Sequence, residues 1–136
     1  MTPDCLIADQ STILVVEDEP AVRRSLQLLL QGHGVRVRSH GSAAAALADP
    51  LALAADGLIA DYRLPDSDGI ALLGKLRQKG FAGPAILVTA FEAAGLDREA
   101  SAAGFHRVLH KPLADQGVTV ALRKLLPDGG RRNIHR

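Results

Sequence analysis

Short apolar segments that alternate with stretches of helical periodicity constrain the fold of this chain more than any other feature of its sequence. Residues 13–16, 58–60 and 85–88 are continuous apolar runs that include β-branched side chains, which is typical of strands buried on both faces. Residues 35–38 and 105–109 complete a set of five predicted strands. Their strict alternation with helices predicts an α/β fold, a five-stranded parallel sheet with helices on both faces.

The segments between the strands carry signals of helix starts and ends. Pro20 stands at a predicted first helical position, after which apolar residues recur at helical spacing. Ser42 is the predicted cap of a short alanine-rich helix, and Ser67 is the predicted cap of the next one. A fourth helix is predicted over residues 92–103, and a last helix is predicted to end before the turn residues at 127–130.

The composition excludes several classes of protein. The chain has 136 residues, of which 47% are apolar and only 3% aromatic, so we expect one domain with an aliphatic core. Its net charge of +1 gives no general attraction to nucleic acid, and its single cysteine excludes an internal disulfide. No apolar run reaches the roughly 18 residues of a membrane span, and no signal-peptide pattern is present. We therefore expect a cytoplasmic domain that binds neither membrane nor nucleic acid directly.

The residues at the ends of the predicted strands carry the chemistry, because a parallel sheet gathers functional groups at the carboxyl ends of its strands. Glu17 and Asp18 follow the first strand and Asp61 follows the third. Thr89 follows the fourth strand and Lys111 the fifth. Carboxylates that lie close together repel one another, and Mg²⁺ binds one or two carboxylates together with water and phosphate oxygens. A lysine and a nucleophilic aspartate complete a set suited to phosphoryl transfer.

The spacing around Asp61 is more specific, with Pro65 four residues later and Gly69 eight residues later. Over residues 12–126, the sequence resembles the receiver domain of bacterial two-component response regulators, of the chemotaxis-regulator type. The acidic pair, Asp61, the hydroxyl followed by alanine and the Lys-Pro pair match the motifs of that family in the correct order. The resemblance implies a flavodoxin-like sheet with strand order 2-1-3-4-5.

The resemblance also implies a function, that of a phosphoacceptor in two-component phosphorelay signalling rather than an enzyme. A sensor histidine kinase or a phosphotransfer protein would donate the phosphoryl group to Asp61. Mg²⁺, or Mn²⁺ in its place, would be held by Asp18, Asp61 and the backbone carbonyl of Arg63, with Glu17 reaching it through water. Lys111 would contact the phosphoryl group.

Thr89 would then move towards the phosphate, which would change the surface formed by the fourth helix, fifth strand and fifth helix. A homodimer through that surface, or through another face, is one arrangement that the resemblance allows. The sequence departs from the family at Val108, because the family usually carries an aromatic residue three positions before the lysine. This departure keeps open the alternative of a phosphorylation-independent protein-interaction module on the same fold.

A third alternative is a phosphatase with an aspartyl nucleophile, but such enzymes usually carry a second acid two residues after the nucleophile, where this chain has Arg63. For the domain organisation we expect a disordered leader over residues 1–11, a receiver domain over 12–126, and a flexible tail or the start of a linker over 127–136. The chain is then either a stand-alone receiver or a piece of a longer regulator or hybrid kinase. The sequence does not identify the partner kinase, the signal or the output.

Overall fold

The computed structural model of the chain describes residues 11–90, 94–113 and 115–126, over which strands and helices alternate. The strands are β1 (Thr12–Val16), β2 (Arg36–His40), β3 (Gly57–Asp61), β4 (Ala85–Thr89) and β5 (Arg107–His110). The helices are α1 (Pro20–Gly32), α2 (Ala43–Ala48), α3 (Gly69–Gln78), α4 (Leu96–Ala103) and α5 (Asp115–Leu125), with a short 3₁₀ helix over Ala52–Ala54.

The five strands form one parallel sheet in the order β2-β1-β3-β4-β5. This confirms both the predicted α/β architecture and the strand order that the family resemblance implies. Every residue of β3 and β4 is buried, whereas β2 and β5 at the sheet edges contain exposed and half-buried residues. The continuous apolar runs in the sequence therefore identify the central strands, and the more polar segments identify the edges.

Aliphatic side chains cover both faces of the sheet, as the low aromatic content predicts. One face packs against α2, α3 and α4 through residues that include Leu14, Leu58 and Leu87. The other face packs against α1 and α5 through residues that include Ile13 and Ile59. Each fully buried side chain of this size contributes about 1.5–3 kcal/mol to stability. None of the helices among the described residues is long and apolar enough to cross a membrane.

The helix starts confirm two predictions and correct a third. Pro20 lies in the first turn of α1, and Ser42 caps α2 by accepting a hydrogen bond from the Ala45 N–H at 3.1 Å. The prediction that Ser67 caps α3 is wrong, because Asp68 holds that position and its Oδ1 accepts from the Ala71 N–H at 2.8 Å. The Ser67 carbonyl instead accepts from the Leu64 N–H, within the loop before the helix.

The starts of two elements differ by two residues or more from the sequence-based prediction. Helix α4 begins at Leu96, after Gly95, whose φ of +87° lies in the left-handed region that favours glycine. Residues 92 and 93, where the predicted helix starts, lie outside the described residues. Strand β5 begins at Arg107 rather than at residue 105, because Phe105 is buried and donates its N–H to the last turn of α4.

The two predicted end segments fall almost entirely outside the described residues. Of the leader over residues 1–11 only Ser11 is described, and the tail over residues 127–136 is not described. Ser11 is buried, and its carbonyl accepts a hydrogen bond from the Arg36 N–H at 2.8 Å. The backbone of Ser11 is therefore held against the start of β2.

Candidate functional site

The acidic turn after β1 places one carboxylate inside the protein and two outside it. Glu17 is only 1% exposed, and its N–H donates to the His40 carbonyl at 3.0 Å. Its Oε2 accepts from the Glu19 N–H at 3.0 Å, while the Glu17 carbonyl accepts from the Arg23 guanidinium at 2.7 Å. These bonds hold the Glu17 side chain under the turn, whereas Asp18 and Glu19 face solvent.

Strand β3 delivers Asp61 to the same edge of the sheet. Asp61 is 6% exposed and ends a strand that is buried throughout. The chain then turns sharply into α3, and the Gly69 N–H donates to the Tyr62 carbonyl at 2.8 Å. A Cβ atom at Gly69 would lie 2.6 Å from the Asp61 carbonyl oxygen, so only glycine allows α3 to begin this close to the carboxylate.

Two further carboxylates fix the loop that follows Asp61. Asp66 accepts hydrogen bonds from the Ala43 and Ala44 N–H groups at 3.0 and 2.9 Å, and these bonds hold the pKa of Asp66 below its ordinary value. Asp68 caps α3 at the other end of the loop. The loop is therefore anchored to two helices, and this anchoring gives Arg63 a defined place beside Asp61.

Lys111, directly after β5, connects the acids. Its Nζ lies 3.0 Å from Asp61 Oδ2, 3.0 Å from Glu17 Oε1 and 3.1 Å from Glu19 Oε1. The Lys111 N–H donates to the Thr89 carbonyl at 2.8 Å, and the Lys111–Pro112 peptide bond is cis. One ammonium group thus faces three carboxylates, a ratio that leaves excess negative charge at the end of the sheet.

Burial and the neighbouring charges together shift the pKa values of Glu17 and Lys111. Burial raises the pKa of Glu17 from 4.5 to about 7, and the nearby charge of Asp61 acts in the same direction, against the hydrogen bonds from the Glu19 N–H and Lys111. Burial alone would lower the pKa of Lys111, but its bonds to Glu17 and Asp61 outweigh burial and raise that pKa. The site therefore contains the positively charged side chain of Lys111, and its remaining negative charge favours the binding of a metal cation.

The arrangement of oxygens fits a divalent cation. Glu17, Asp18 and Asp61 each offer a carboxylate oxygen, and these oxygens lie within 4.8 Å of one another. Glu17 Oε1 lies at ion-pair distance from Lys111, yet it accepts no hydrogen bond from the described part of the chain. A hard cation with oxygen ligands would satisfy this oxygen and the surrounding negative charge. The prediction that the Arg63 carbonyl completes the ligand set stays a prediction.

The predicted residues surround one open cavity of about 410 Å³ at this edge. Its walls are formed by Asp18, Glu19, Asp61, Arg63, Leu64, Pro65, Thr89, Ala90 and Lys111. Glu17 lies beneath the cavity and forms an ion pair with Lys111, which lines it. The structure thus brings together all six residues that the sequence singled out, and the cavity has room for a phosphoryl group beside Asp61.

Two residues complete the description of this region. Glu19 was not predicted as a site residue, although it lines the cavity and contacts Lys111; the only signal for it was its place in a run of three acids. Val108 is partly buried and packs against the core on the α3 and α4 side. It borders a second cavity of about 230 Å³, together with Asp97 and Phe105.

Comparison with known proteins gives consistent matches. The family model described as response regulator receiver domain matches residues 13–123. The transcriptional regulatory protein FixJ of Azorhizobium caulinodans is 35% identical over 112 residues, which cover 82% of this chain and 53% of that protein. FixJ of Rhizobium meliloti is 33% identical and covered to 55% of its length, so the chain spans about half of these relatives.

Two further matches cover most of the matched protein. An uncharacterized 14.6 kDa protein of Leptolyngbya boryana is 36% identical over 107 residues, which cover 76% of this chain and 81% of that protein. Among solved structures, a CheY-like response regulator receiver domain from Methylobacillus flagellatus has a TM-score of 0.77 and 26% identity. That match covers 86% of this chain and 99% of the solved one.

Proposed function

The chain belongs to the response regulator receiver domain family, the signalling module of two-component systems, and from this membership we propose that Asp61 is its phosphoacceptor. The observation that carries the proposal is the contact of 3.0 Å between Lys111 Nζ and Asp61 Oδ2. This contact lies in a cavity that also holds Asp18 and Thr89. The family match gives no support to the alternative of a phosphorylation-independent interaction module.

The proposed reaction is an in-line displacement at phosphorus. An Asp61 carboxylate oxygen attacks the phosphorus atom of a phosphohistidine, and the P–N bond breaks as the new O–P bond forms. The bonding electron pair returns to the imidazole, which leaves as a neutral ring when its other nitrogen carries a proton. Lys111 can follow the negative charge from the Asp61 carboxylate to the phosphoryl oxygens, because its long side chain carries a mobile point charge.

The acids around Asp61 have separate roles in this proposal. Mg²⁺, or Mn²⁺ in its place, would neutralise phosphoryl charge while held by Asp18, Asp61 and the Arg63 carbonyl. Glu17, which is buried and has an oxygen that accepts no hydrogen bond from any of the residues that the structure describes, would reach the ion through water. Without a cation, the same carboxylates would repel an incoming phosphoryl group, so we expect phosphorylation to depend on a divalent metal.

Thr89 is the proposed reporter of phosphorylation. It is buried at the end of β4, lines the cavity and lies opposite His110 of β5 in the sheet register. Movement of its hydroxyl towards a phosphate on Asp61 would alter the β4–β5 edge and the packing of α4. Because Val108 is too small to act as the aromatic switch usual in the family, this change would reach the surface by aliphatic repacking.

We also propose which proteins donate the phosphoryl group to this chain. The donor would be a sensor histidine kinase or a phosphotransfer protein, in the cytoplasm where ATP-dependent kinases work. We propose that the chain transfers information rather than turning over an external substrate. A homodimer through α4, β5 and α5, or through another face, would be one output. Direct binding of nucleic acid by the receiver itself is not part of the proposal.

The test is phosphorylation of the full chain by phosphoramidate with Mg²⁺, followed by intact-mass measurement. We expect the wild type to gain the mass of one phosphoryl group, and Asp61→Asn to gain none. Asp97→Asn is the matched control, since Asp97 is exposed on α4 and does not line the cavity beside Asp61. A mass gain by Asp61→Asn equal to that of the wild type would refute the assignment.

A further inference from the structure

Glu19 lies in the wall of the phosphoacceptor cavity without a role in the chemistry proposed above. Its side chain is 60% exposed, and Oε1 lies 3.1 Å from Lys111 Nζ. The backbone of Glu19 has a separate role, since its N–H donates a hydrogen bond to Glu17 Oε2 at 3.0 Å. A substitution at Glu19 therefore removes the side-chain charge at the cavity while the backbone bond that positions Glu17 stays in place.

The Glu19 carboxylate and an incoming phosphoryl group compete for the same ammonium. Lys111 already contacts Glu17 and Asp61 at 3.0 Å each, so Glu19 is its third negatively charged partner. An ion pair with one exposed partner is weak and readily exchanged for another. The charge of Glu19 nevertheless stays beside the cavity after the exchange, where it repels any anion that enters.

We propose that Glu19 determines donor specificity by charge, so that it disfavours small, doubly charged phosphodonors in solution. The proposal rests on the proposed role of Asp61 as phosphoacceptor. The repulsion grows with donor charge, so a dianionic acyl phosphate is opposed about twice as strongly as a monoanionic phosphoramidate. Glu19 would thereby protect the site from phosphorylation by acyl phosphates that are free in the cell.

The experiment measures phosphorylation rate constants of the full chain with acetyl phosphate and with phosphoramidate, at neutral pH with saturating Mg²⁺ and low salt. For charges about 8 Å apart in water with partial screening, we expect Glu19→Gln to accelerate the acetyl phosphate reaction about threefold. The phosphoramidate reaction should gain about the square root of that factor. Glu19→Lys, which reverses the charge, should exceed Glu19→Gln with both donors.

Measurements at high salt and on a matched variant distinguish an electrostatic effect of the Glu19 substitutions from a steric effect. At about 1 M salt the screening length falls to about 3 Å, so both gains should nearly vanish. Glu99→Gln removes the same charge from the exposed surface of α4, away from the cavity lining, and should leave both rate constants unchanged.

The role of Glu19 and the phosphoacceptor role of Asp61 would be overturned by different results. Equal gains with both donors, gains that persist at high salt, or rates of Glu19→Gln equal to wild type would overturn the role of Glu19. A wild type that accepts no phosphoryl group at Asp61 would instead overturn the proposed function on which the inference rests. The expected result is that the phosphorylation rate constant rises from wild type to Glu19→Gln to Glu19→Lys. The rise should be larger with acetyl phosphate than with phosphoramidate, and it should nearly vanish at high salt.

Discussion

We expect the buried carboxylate of Glu17 to make the metal-free protein less stable as the pH rises. Its pKa of about 7 exceeds the ordinary value of 4.5 because burial disfavours the charged form. One pKa unit corresponds to about 1.4 kcal/mol, so the ionised group is about 3 kcal/mol less favourable in the folded chain than in the unfolded chain. The folded state binds the extra proton between these two pKa values, and stability is therefore lost as the pH rises from about 4.5 to 7.

Glu17→Gln removes this effect, because the neutral amide has nearly the same shape and cannot ionise. We expect the variant and the wild type to differ little in unfolding free energy near pH 4.5. At pH 8 without divalent metal, we expect the variant to be about 2–3 kcal/mol more stable. Added Mg²⁺ should reduce this difference in unfolding free energy, because it should bind and stabilise the folded wild type more than the folded variant.

The assay is urea unfolding at a series of pH values in the presence of a chelator, with Glu99→Gln as the matched control. Glu99 is exposed on α4, so its substitution should leave the pH profile of the wild type unchanged. If Glu17→Gln and wild type show parallel profiles from pH 4.5 to 8, then Glu17 is not a destabilised buried acid and the electrostatic reasoning fails.

Three further predictions concern the scaffold around the site. Asp68→Ala should lower the unfolding free energy by about 1 kcal/mol in urea titrations, whereas Ser67→Ala should change it little, because Asp68 is the cap of α3. Asp49→Asn should be less stable than wild type at pH 7, and the difference should shrink only as the pH falls below about 4 towards the lowered pKa of Asp49, because the bonds from Arg38 and His40 hold that pKa well below its usual range. Gly69→Ala should lower the melting temperature and slow phosphorylation, since its Cβ would press on the Asp61 carbonyl.

The sequence was sufficient to predict the central strands and the grouping of the six candidate site residues at one edge of the sheet. Buried parallel strands need apolar side chains on both faces, so β1, β3 and β4 appear as continuous runs, and the residues that follow them converge at one edge. The family motifs supplied the strand order and the expected role of Asp61. Local signals also placed Pro20 and Ser42 correctly at their helix starts.

The remaining details depend on contacts between distant segments, which local patterns do not contain. Phe105 looked like part of a strand because it is apolar, but it is buried at the end of α4 instead. Ser67 and Asp68 are both good caps, and only the folded loop shows that Asp68 is the one that accepts a hydrogen bond from the first turn of α3. Glu19 was missed because its contact with Lys111 joins residues 92 positions apart.

Borohydride trapping identifies the side chain that carries the phosphoryl group, which we expect to be the carboxylate of Asp61. An aspartyl phosphate is an acyl phosphate, so borohydride reduces it to homoserine, which peptide sequencing by mass spectrometry can locate. After incubation with phosphoramidate and Mg²⁺ and then with borohydride, we expect homoserine at position 61, and none when phosphoramidate or Mg²⁺ is left out. Homoserine at position 18, or a phosphorylated protein with no homoserine at position 61, would contradict it.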